Sequence, residues 1–423
     1  MGYHDTPERP ESSEVKLSNS VAHGERILSG MRPTGRLHLG HYHGVLRNWV
    51  TLQQTHDCFF FVADWHALTT AYEEREIISQ NVWDMVIDWL ACGVNPNLAT
   101  LFIQSRVVEH AELHLLLSMI APLGWLERVP TYKDQIEQLR ERDLATYGFL
   151  GYPVLQSADI LIYGAAGVPV GEDQVSHVEL TRELARRFNH LFGREPGFQD
   201  KAEAAIGKMG KKAARLYREL RRRYQEAGDD EALGEARALL ENQQNLTVAD
   251  SARLAGYLEG GGRTVLAEPQ ALLTHAPRMP GLDGRKMSKS YGNTISLREP
   301  DAQIEQKIRT MPTDPARVRR SDPGEPEKCP VFDLHRVYSD DDTRQWVESG
   351  CRSAGIGCLD CKRPLIEAVQ SEVAPIREEA EALEADPEQV RQIIGDGCGR
   401  ARDVAQDTMR EVRSAIGLDY RPR

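Results

Sequence analysis

No apolar run in the chain approaches the roughly 18 residues that span a bilayer, and the opening residues have no hydrophobic signal core. Residues 1–24 are polar and rich in Pro, Ser and Glu, which reads as a disordered tail. Neither membrane insertion nor export is expected, so the expected location is cytoplasmic. Positive charge is short as well: 52 Lys and Arg against 64 Asp and Glu leave a net charge of −12. This balance argues against DNA as a partner. It leaves RNA open, because a local basic stripe is what counts there. Such a stripe stands at Lys307, Arg309, Arg317, Arg319 and Arg320, opposed only by Asp314. Cysteine is scarce, seven in 423 residues, and without export it points to metal or redox use rather than a disulfide framework. The length allows two or three domains.

Two stretches carry the chemistry. Late in the chain, Arg285-Lys286-Met287-Ser288-Lys289-Ser290 places two lysines three apart before Tyr291-Gly292-Asn293. A loop of this kind brings two ammonium groups and free backbone N–H groups onto a polyphosphate. Taken alone, it is more often a solvated basic loop. Near the start, the apolar pair Ile27 and Leu28 leads into Arg32-Pro33-Thr34-Gly35-Arg36-Leu37-His38-Leu39-Gly40-His41. The pattern predicts strand, tight turn and helix, and a helix N-terminus favours an anionic phosphate. Gly40 lets a flat base or ribose lie against the backbone. His38 and His41 fall on one face of the first helical turn, where they can donate to phosphate oxygens.

Residues 57–64 form a compact apolar run ending in acid, and residues 101–103 a shorter one; each reads as a buried parallel strand. Between them, residues 77–90 carry Val82, Met85, Val86 and Trp89 on one helical face before a Gly/Asn/Pro stop. The alternation predicts an α/β fold: a doubly wound, Rossmann-like parallel sheet with ligands at the strand C-termini. Asp159 lies in the apolar helical stretch of residues 152–163. An ionised carboxylate is costly there unless paired. A nearby protein donor would satisfy it, and so would a ligand such as indole, whose one polar atom is an N–H.

Pro-Thr-Gly-x-x-His-Leu-Gly-His at residues 33–41 and Lys-Met-Ser-Lys-Ser at residues 286–290 together resemble the two ATP motifs of class I aminoacyl-tRNA synthetases. The stretch 152–163, with Gly171-Glu172-Asp173-Gln174, His177 and Leu180, is similar to bacterial-type tryptophanyl-tRNA synthetases. The resemblance implies that Asp159 reads the indole N–H and that Tyr152 and Gln174 hold the amino-acid head group. Gln156 stands where some relatives have Met, in the same pocket. It further implies ATP contacts from Arg32, Pro33, Thr34, Gly40, His41, Gly171, Glu172, Asp173, Arg278, Met279, Lys286, Met287, Ser288, Lys289 and Ser290. On this reading His38, His41, Lys286 and Lys289 stabilise developing charge, with Mg²⁺ bridging phosphates. No protein nucleophile is needed, because positioning and charge carry this type of phosphoryl transfer. Rejection of Phe and Tyr is expected from leaving Asp159 unpaired. The partners implied are L-tryptophan, tRNA(Trp) and a second copy of the chain in a homodimer.

The organisation expected is a catalytic domain at 25–200 and 263–300, a helical insertion at 201–262 and a C-terminal helical, anticodon-binding domain at 301–423. Basic residues crowd the insertion from Lys208 to Arg223, where the ordinary reading is a solvated charged helix. Cys329, Cys351, Cys358 and Cys361 give C-x21-C-x6-C-x2-C, which accepts either structural zinc or an iron–sulfur cluster. The run from Gly355 to Lys362 resembles the subset of these synthetases with a [4Fe–4S] cluster. Cys58, Cys92 and Cys398 read as core residues. The C-terminal third has helical spacing, with breaks expected at Asp386-Pro387 and at 395–397, and the basic stripe is expected to join it to the sheet. Rival readings are a tyrosyl enzyme, a non-catalytic tRNA- or cluster-binding regulator, and a small-molecule adenylyltransferase. The last has no use for the C-terminal third.

Overall fold

A computed structural model describes residues 21–22, 24–71, 75–127, 146–193, 197–260, 262–273 and 279–420. Five parallel strands, β1 (Arg26–Met31), β2 (Asp57–Val62), β3 (Ala99–Ile103), β4 (Gly167–Val170) and β5 (Gln270–Leu273), form one sheet in the order β3-β2-β1-β4-β5. Helices cover both faces, so β2 and β3 are apolar nearly throughout rather than alternating. The stacked rings of Trp49 and Phe60, with centroids 4.2 Å apart, tie the first motif's helix to β2. The order reverses at β1, between β2 and β4. That opens a crevice at the strand C-termini, where ligands of such sheets bind.

The C-terminal helices share the core of the sheet. Cys358–Ala385 and Pro387–Ile416 contribute Leu365, Val369, Ile394, Ala401 and Met409 to the cluster that holds Trp49, Phe60 and Leu101. At Gly397 the last helix runs so close to β3 that an added Cβ would lie 1.8 Å from the Leu101 carbonyl oxygen. The break expected at 395–397 is therefore absent: these glycines sit inside one helix, and Gly397 marks a close approach. The Asp386-Pro387 break is present, with Asp386 capping the helix through Gln389 N–H.

This packing also corrects the expected role of the basic stripe. Arg317 is buried and spent on the carbonyls of Arg320 and Ile356, and Lys307 bonds the Thr294 carbonyl and Glu299. Arg309, Arg319 and Arg320 are exposed, with Arg309 paired to Glu305 and Arg320 to Asp360. Apolar burial, not the stripe, joins the helices to the sheet.

Four helices, Phe198–Lys208, Lys211–Ala227, Asp230–Glu241 and Val248–Leu258, build the insertion around a separate core of Ile206, Tyr217, Leu220, Leu240, Leu254 and Leu258. Several of its cations are spent within it: Arg218 on Glu203, Arg223 on Asp229, and Lys208 on Asp250. Its two ends meet at a neck, where Arg263 N–H donates to the Gly193 carbonyl and Asn189 Oδ1 accepts from Val265 and Leu266 N–H. No described helix is long and apolar enough to cross a membrane.

Candidate functional site

β1 delivers the first motif to the crevice. The chain turns at Gly35, where φ is +103°, a conformation that suits glycine. His38 then caps the short helix Leu39–His41: its Nδ1 accepts from Gly40 N–H at 3.1 Å, and His41 Nδ1 accepts from His38 N–H at 3.3 Å. This reciprocal cap places the proton on Nε2 of both rings, so each keeps an N–H donor. An added Cβ at residue 40 would stand 2.9 Å from the His38 ring, so the position requires glycine. Burial, reinforced by Lys289, lowers the His38 pKa to about 4. Burial, His38 and both lysines of the second motif lower that of His41 to about 3. Both imidazoles are neutral near pH 7, and they act as N–H donors rather than cations.

The second motif lies against the first. Asn293 shapes its loop, accepting from Ser288 N–H at 2.8 Å and donating to Asp283 at 2.6 Å. Lys289 Nζ donates to the carbonyls of Thr34 and Gly35 at 3.1 and 2.7 Å, and burial lowers its pKa to about 8. The backbone continues the seam, with Leu39 N–H on the Ile295 carbonyl and Leu297 N–H on the Leu37 carbonyl. Asp88, fully buried, clamps it: one oxygen takes Leu37 N–H at 2.9 Å and the other takes Arg298 Nε at 2.5 Å. Neither Asp88 nor Arg298 is recognisable from local spacing, because their partnership spans 210 positions.

Between the motifs opens a cleft of ≈1550 Å³. Of the residues expected to meet ATP, Arg32, Thr34, Gly40, His41, Gly171, Glu172, Asp173, Met279, Lys286, Met287, Ser288 and Lys289 line it, as does His38. Pro33 is buried beside the cleft, its carbonyl accepting from Asn81, and Ser290 is exposed with its hydroxyl 2.9 Å from that of Ser288. Arg278 lies outside the described residues.

The expected amino-acid residues Tyr152, Gln156, Asp159 and Gln174 line the same cleft. Gln174 donates to Asp173 at 3.1 Å. His177 Nδ1 stands 2.7 Å from Gln156 Oε1 and its Nε2 stands 3.3 Å from the Tyr152 hydroxyl. The amide oxygen is only an acceptor, so His177 donates from Nδ1 and accepts from Tyr152. Asp159 has no solvent exposure and is already supplied with donors: His66 Nε2 at 2.8 Å, His110 Nδ1 at 2.6 Å and Gln104 Nε2 at 2.8 and 2.9 Å. Burial opposes ionisation of Asp159, but the hydrogen bonds from His110 and His66 prevail and hold the carboxyl below its usual value. Four contacts match the four lone-pair sites of a carboxylate. An absent indole N–H therefore does not leave this group unpaired, and rejection of Phe and Tyr cannot rest on that penalty. No local pattern in the sequence points to His110 as a partner of Asp159, 49 positions away.

Cys329, Cys351, Cys358 and Cys361 converge at the ends of three helices. Burial, then the other three thiols, pushes the Cys361 thiol up to about 12. Arg317 reaches Cys351 Sγ at 3.6 Å, and His335 Nε2 lies 3.4 Å from Cys361 Sγ. Among the described residues no three His, Cys, Asp or Glu side chains are arranged to hold a metal ion.

The family model of class I tRNA synthetases for W and Y matches residues 22–215 and 242–374, passing over 216–241 inside the helical insertion. A tryptophan–tRNA ligase of Ralstonia nicotianae is 68% identical over 94% of this chain and 99% of its own length. One from Thermotoga maritima is 46% identical over 93% of this chain and all of its own. Among solved structures, a tryptophanyl-tRNA synthetase from Campylobacter jejuni, complexed with ADP and tryptophan, superposes with a TM-score of 0.70 at 27% identity, covering 93% of this chain and 100% of that one. With the two motifs facing each other across one cleft, the chain belongs to the class I tRNA synthetases, in the bacterial tryptophan–tRNA ligase family.

Proposed function

We propose that the cleft activates L-tryptophan with ATP and passes the tryptophanyl group to tRNA(Trp). The observation that carries this reading is Lys289 seated on the first motif, with neutral His38 and His41 beside it. In the first step the tryptophan carboxylate attacks the α-phosphorus and pyrophosphate leaves. In the second, the terminal ribose 2′-OH of the tRNA takes the acyl group and AMP leaves. Two N–H donors and two ammonium groups aimed at the phosphates stabilise charge as it develops, so no protein nucleophile is called for. Mg²⁺ enters with ATP as part of the substrate and neutralises phosphate charge.

ATP contacts are assigned to Arg32, Pro33, Thr34, Gly40, Gly171 to Asp173, Arg278, Met279 and the loop from Lys286 to Ser290. Tyr152, Gln156, Asp159 and Gln174 are assigned to tryptophan. The Asp159 cage fixes one wall of that pocket. Tryptophan-dependent ATP–pyrophosphate exchange tests the assignment: tyrosine-dependent exchange would favour the tyrosyl reading, and none with either a regulator.

The four cysteines are assigned to a [4Fe–4S] cluster, with zinc as the alternative. Convergent thiols, with Arg317 and His335 near two of the sulfurs, fit a thiolate-bound group. Such a group would brace three helix ends and has no part in either reaction step. Iron and sulfide analysis with an absorption spectrum of anaerobically purified protein separates the two metals.

The C-terminal helices, with exposed Arg319 and Arg320, are assigned to tRNA through phosphate contacts. A homodimer is assigned to the catalytic side, where Val108, Leu115, Met119, Leu123 and Tyr147 expose large apolar groups. Light scattering reads that state directly. The assigned location is the cytoplasm.

A further inference from the structure

Immediately after His41, the helix of the first motif loosens into a π-turn, Tyr42–Leu46, before tightening again at Arg47–Leu52. Such a turn carries an extra residue and re-aims its side chains, and it occurs mostly where a protein has use for it. Here it accompanies a His43 turned inward, 8% exposed. His43 Nε2 lies 2.9 Å from Glu372 Oε2 and 3.1 Å from the Tyr338 hydroxyl, which itself donates to Glu372 Oε2 at 2.7 Å. Arg47 faces the other nitrogen, Nδ1, at 3.3 Å. Guanidinium is only a donor, so Nδ1 accepts and the imidazole proton sits on Nε2, aimed at the Glu372 carboxylate. Every polar atom of the ring is thus used by a neutral imidazole. The ring packs edge-on against both Tyr42 and Tyr338.

The partners come from two C-terminal helices, the longer of which also meets the first motif at its far end through the Arg36–Glu384 pair. Tyr338 ends the helix that begins beside Cys329, and Glu372 stands midway along the helix that begins with Cys358 and Cys361. Two of the three helices that meet at the cysteines therefore converge on one ring, two positions from a residue that lines the cleft.

We propose that His43 is a positioning residue: held by Glu372 and Tyr338, it fixes the rotation of the turn bearing Gly40 and His41, so the packing of the C-terminal helices sets the geometry of the ATP site. The proposal rests on the assigned ATP role of that turn. Exchange by the unaltered chain tests that role separately.

The experiment compares His43→Ala, His43→Gln, Tyr338→Phe and Glu372→Gln in the full-length protein, by exchange kinetics and by calorimetric binding of ATP alone. A neutral hydrogen bond of this kind changes an equilibrium by roughly fivefold, and one to a charged group by more. The expected result is an ATP KM and Kd raised by about fivefold or more in His43→Ala, with the tryptophan KM within about twofold. His43→Gln, whose amide N–H can reach Glu372, should recover most of the loss. Tyr338→Phe removes only one hydroxyl and stays informative should His43→Ala fold poorly. Unchanged ATP binding and KM in the folded variants would overturn the proposal. So would equal losses for ATP and tryptophan with no recovery in His43→Gln, the pattern of general damage.

Discussion

Replacing Asp159 with Asn separates a caged carboxylate from one waiting for a ligand. The carboxylate takes four contacts from three side chains without exposure to water. Asn keeps one acceptor oxygen and turns an NH₂ group toward residues that are themselves donating. Two charge-assisted bonds at about 1.5–3 kcal/mol each are lost, so the cost should approach the roughly 3–5 kcal/mol of a broken buried pair. Unfolding entropy of about 2.1 cal/mol/K per residue gives about 0.75 kcal/mol per degree for the residues outside the 197–260 module, hence a fall of about 4–7 °C in the melting temperature of the catalytic unit. Differential scanning calorimetry without ligand should record that fall, and saturating tryptophan should not reverse it. If Asp159→Asn melted with the parent and differed only in its KM for tryptophan, the carboxylate would be open to the ligand in solution. The cage argument would then fail.

Lys289 loses its proton as pH rises through about 8. ATP affinity measured by calorimetry should therefore fall up to about tenfold from about pH 7 to about pH 9, and Lys289→Arg should flatten that dependence. Gly397→Ala should destabilise by about 1–3 kcal/mol, since its methyl group would enter the Leu101 carbonyl. Gly395→Ala and Gly399→Ala in the same helix meet open space and should be neutral or stabilising by up to about 1 kcal/mol in denaturant titration. Asp88→Asn leaves the buried Arg298 without its one fully buried carboxylate partner and weakens the anchor of Leu37. Exchange assays should show a raised ATP KM, and chemical denaturation a loss toward the lower end of about 3–5 kcal/mol, because Asp84 and Glu384 remain.

What was readable in the sequence was what lies in short segments. Both nucleotide motifs, strands β1 to β3 and the helix between β2 and β3 follow from local apolar pattern and turn residues, and the structure brings the motifs together. The Asp159 cage was hidden because its partners stand 93, 55 and 49 positions away, and a buried histidine or glutamine looks like a surface one in a list of letters. Gly397 misled for a related reason. Glycine signals a helix end when a left-handed residue is needed, but here it permits contact with a strand roughly 300 positions earlier, as the nearby bond from Arg400 to Thr100 marks. The basic stripe dissolved because Lys307 and Arg317 find backbone carbonyls in three dimensions, which charge counting cannot foresee.

The neck of the insertion has a consequence for how the molecule comes apart. Because residues 197–260 bury their own apolar cluster and the strands on either side are reached through the join at Gly193 and Arg263, melting those four helices need expose little of the sheet's interior. A thermogram should then hold two transitions, and a protease nick in the module should leave the nucleotide cleft assembled. Natural variation can lengthen, shorten or recharge this segment under selection separate from that acting on the catalytic core.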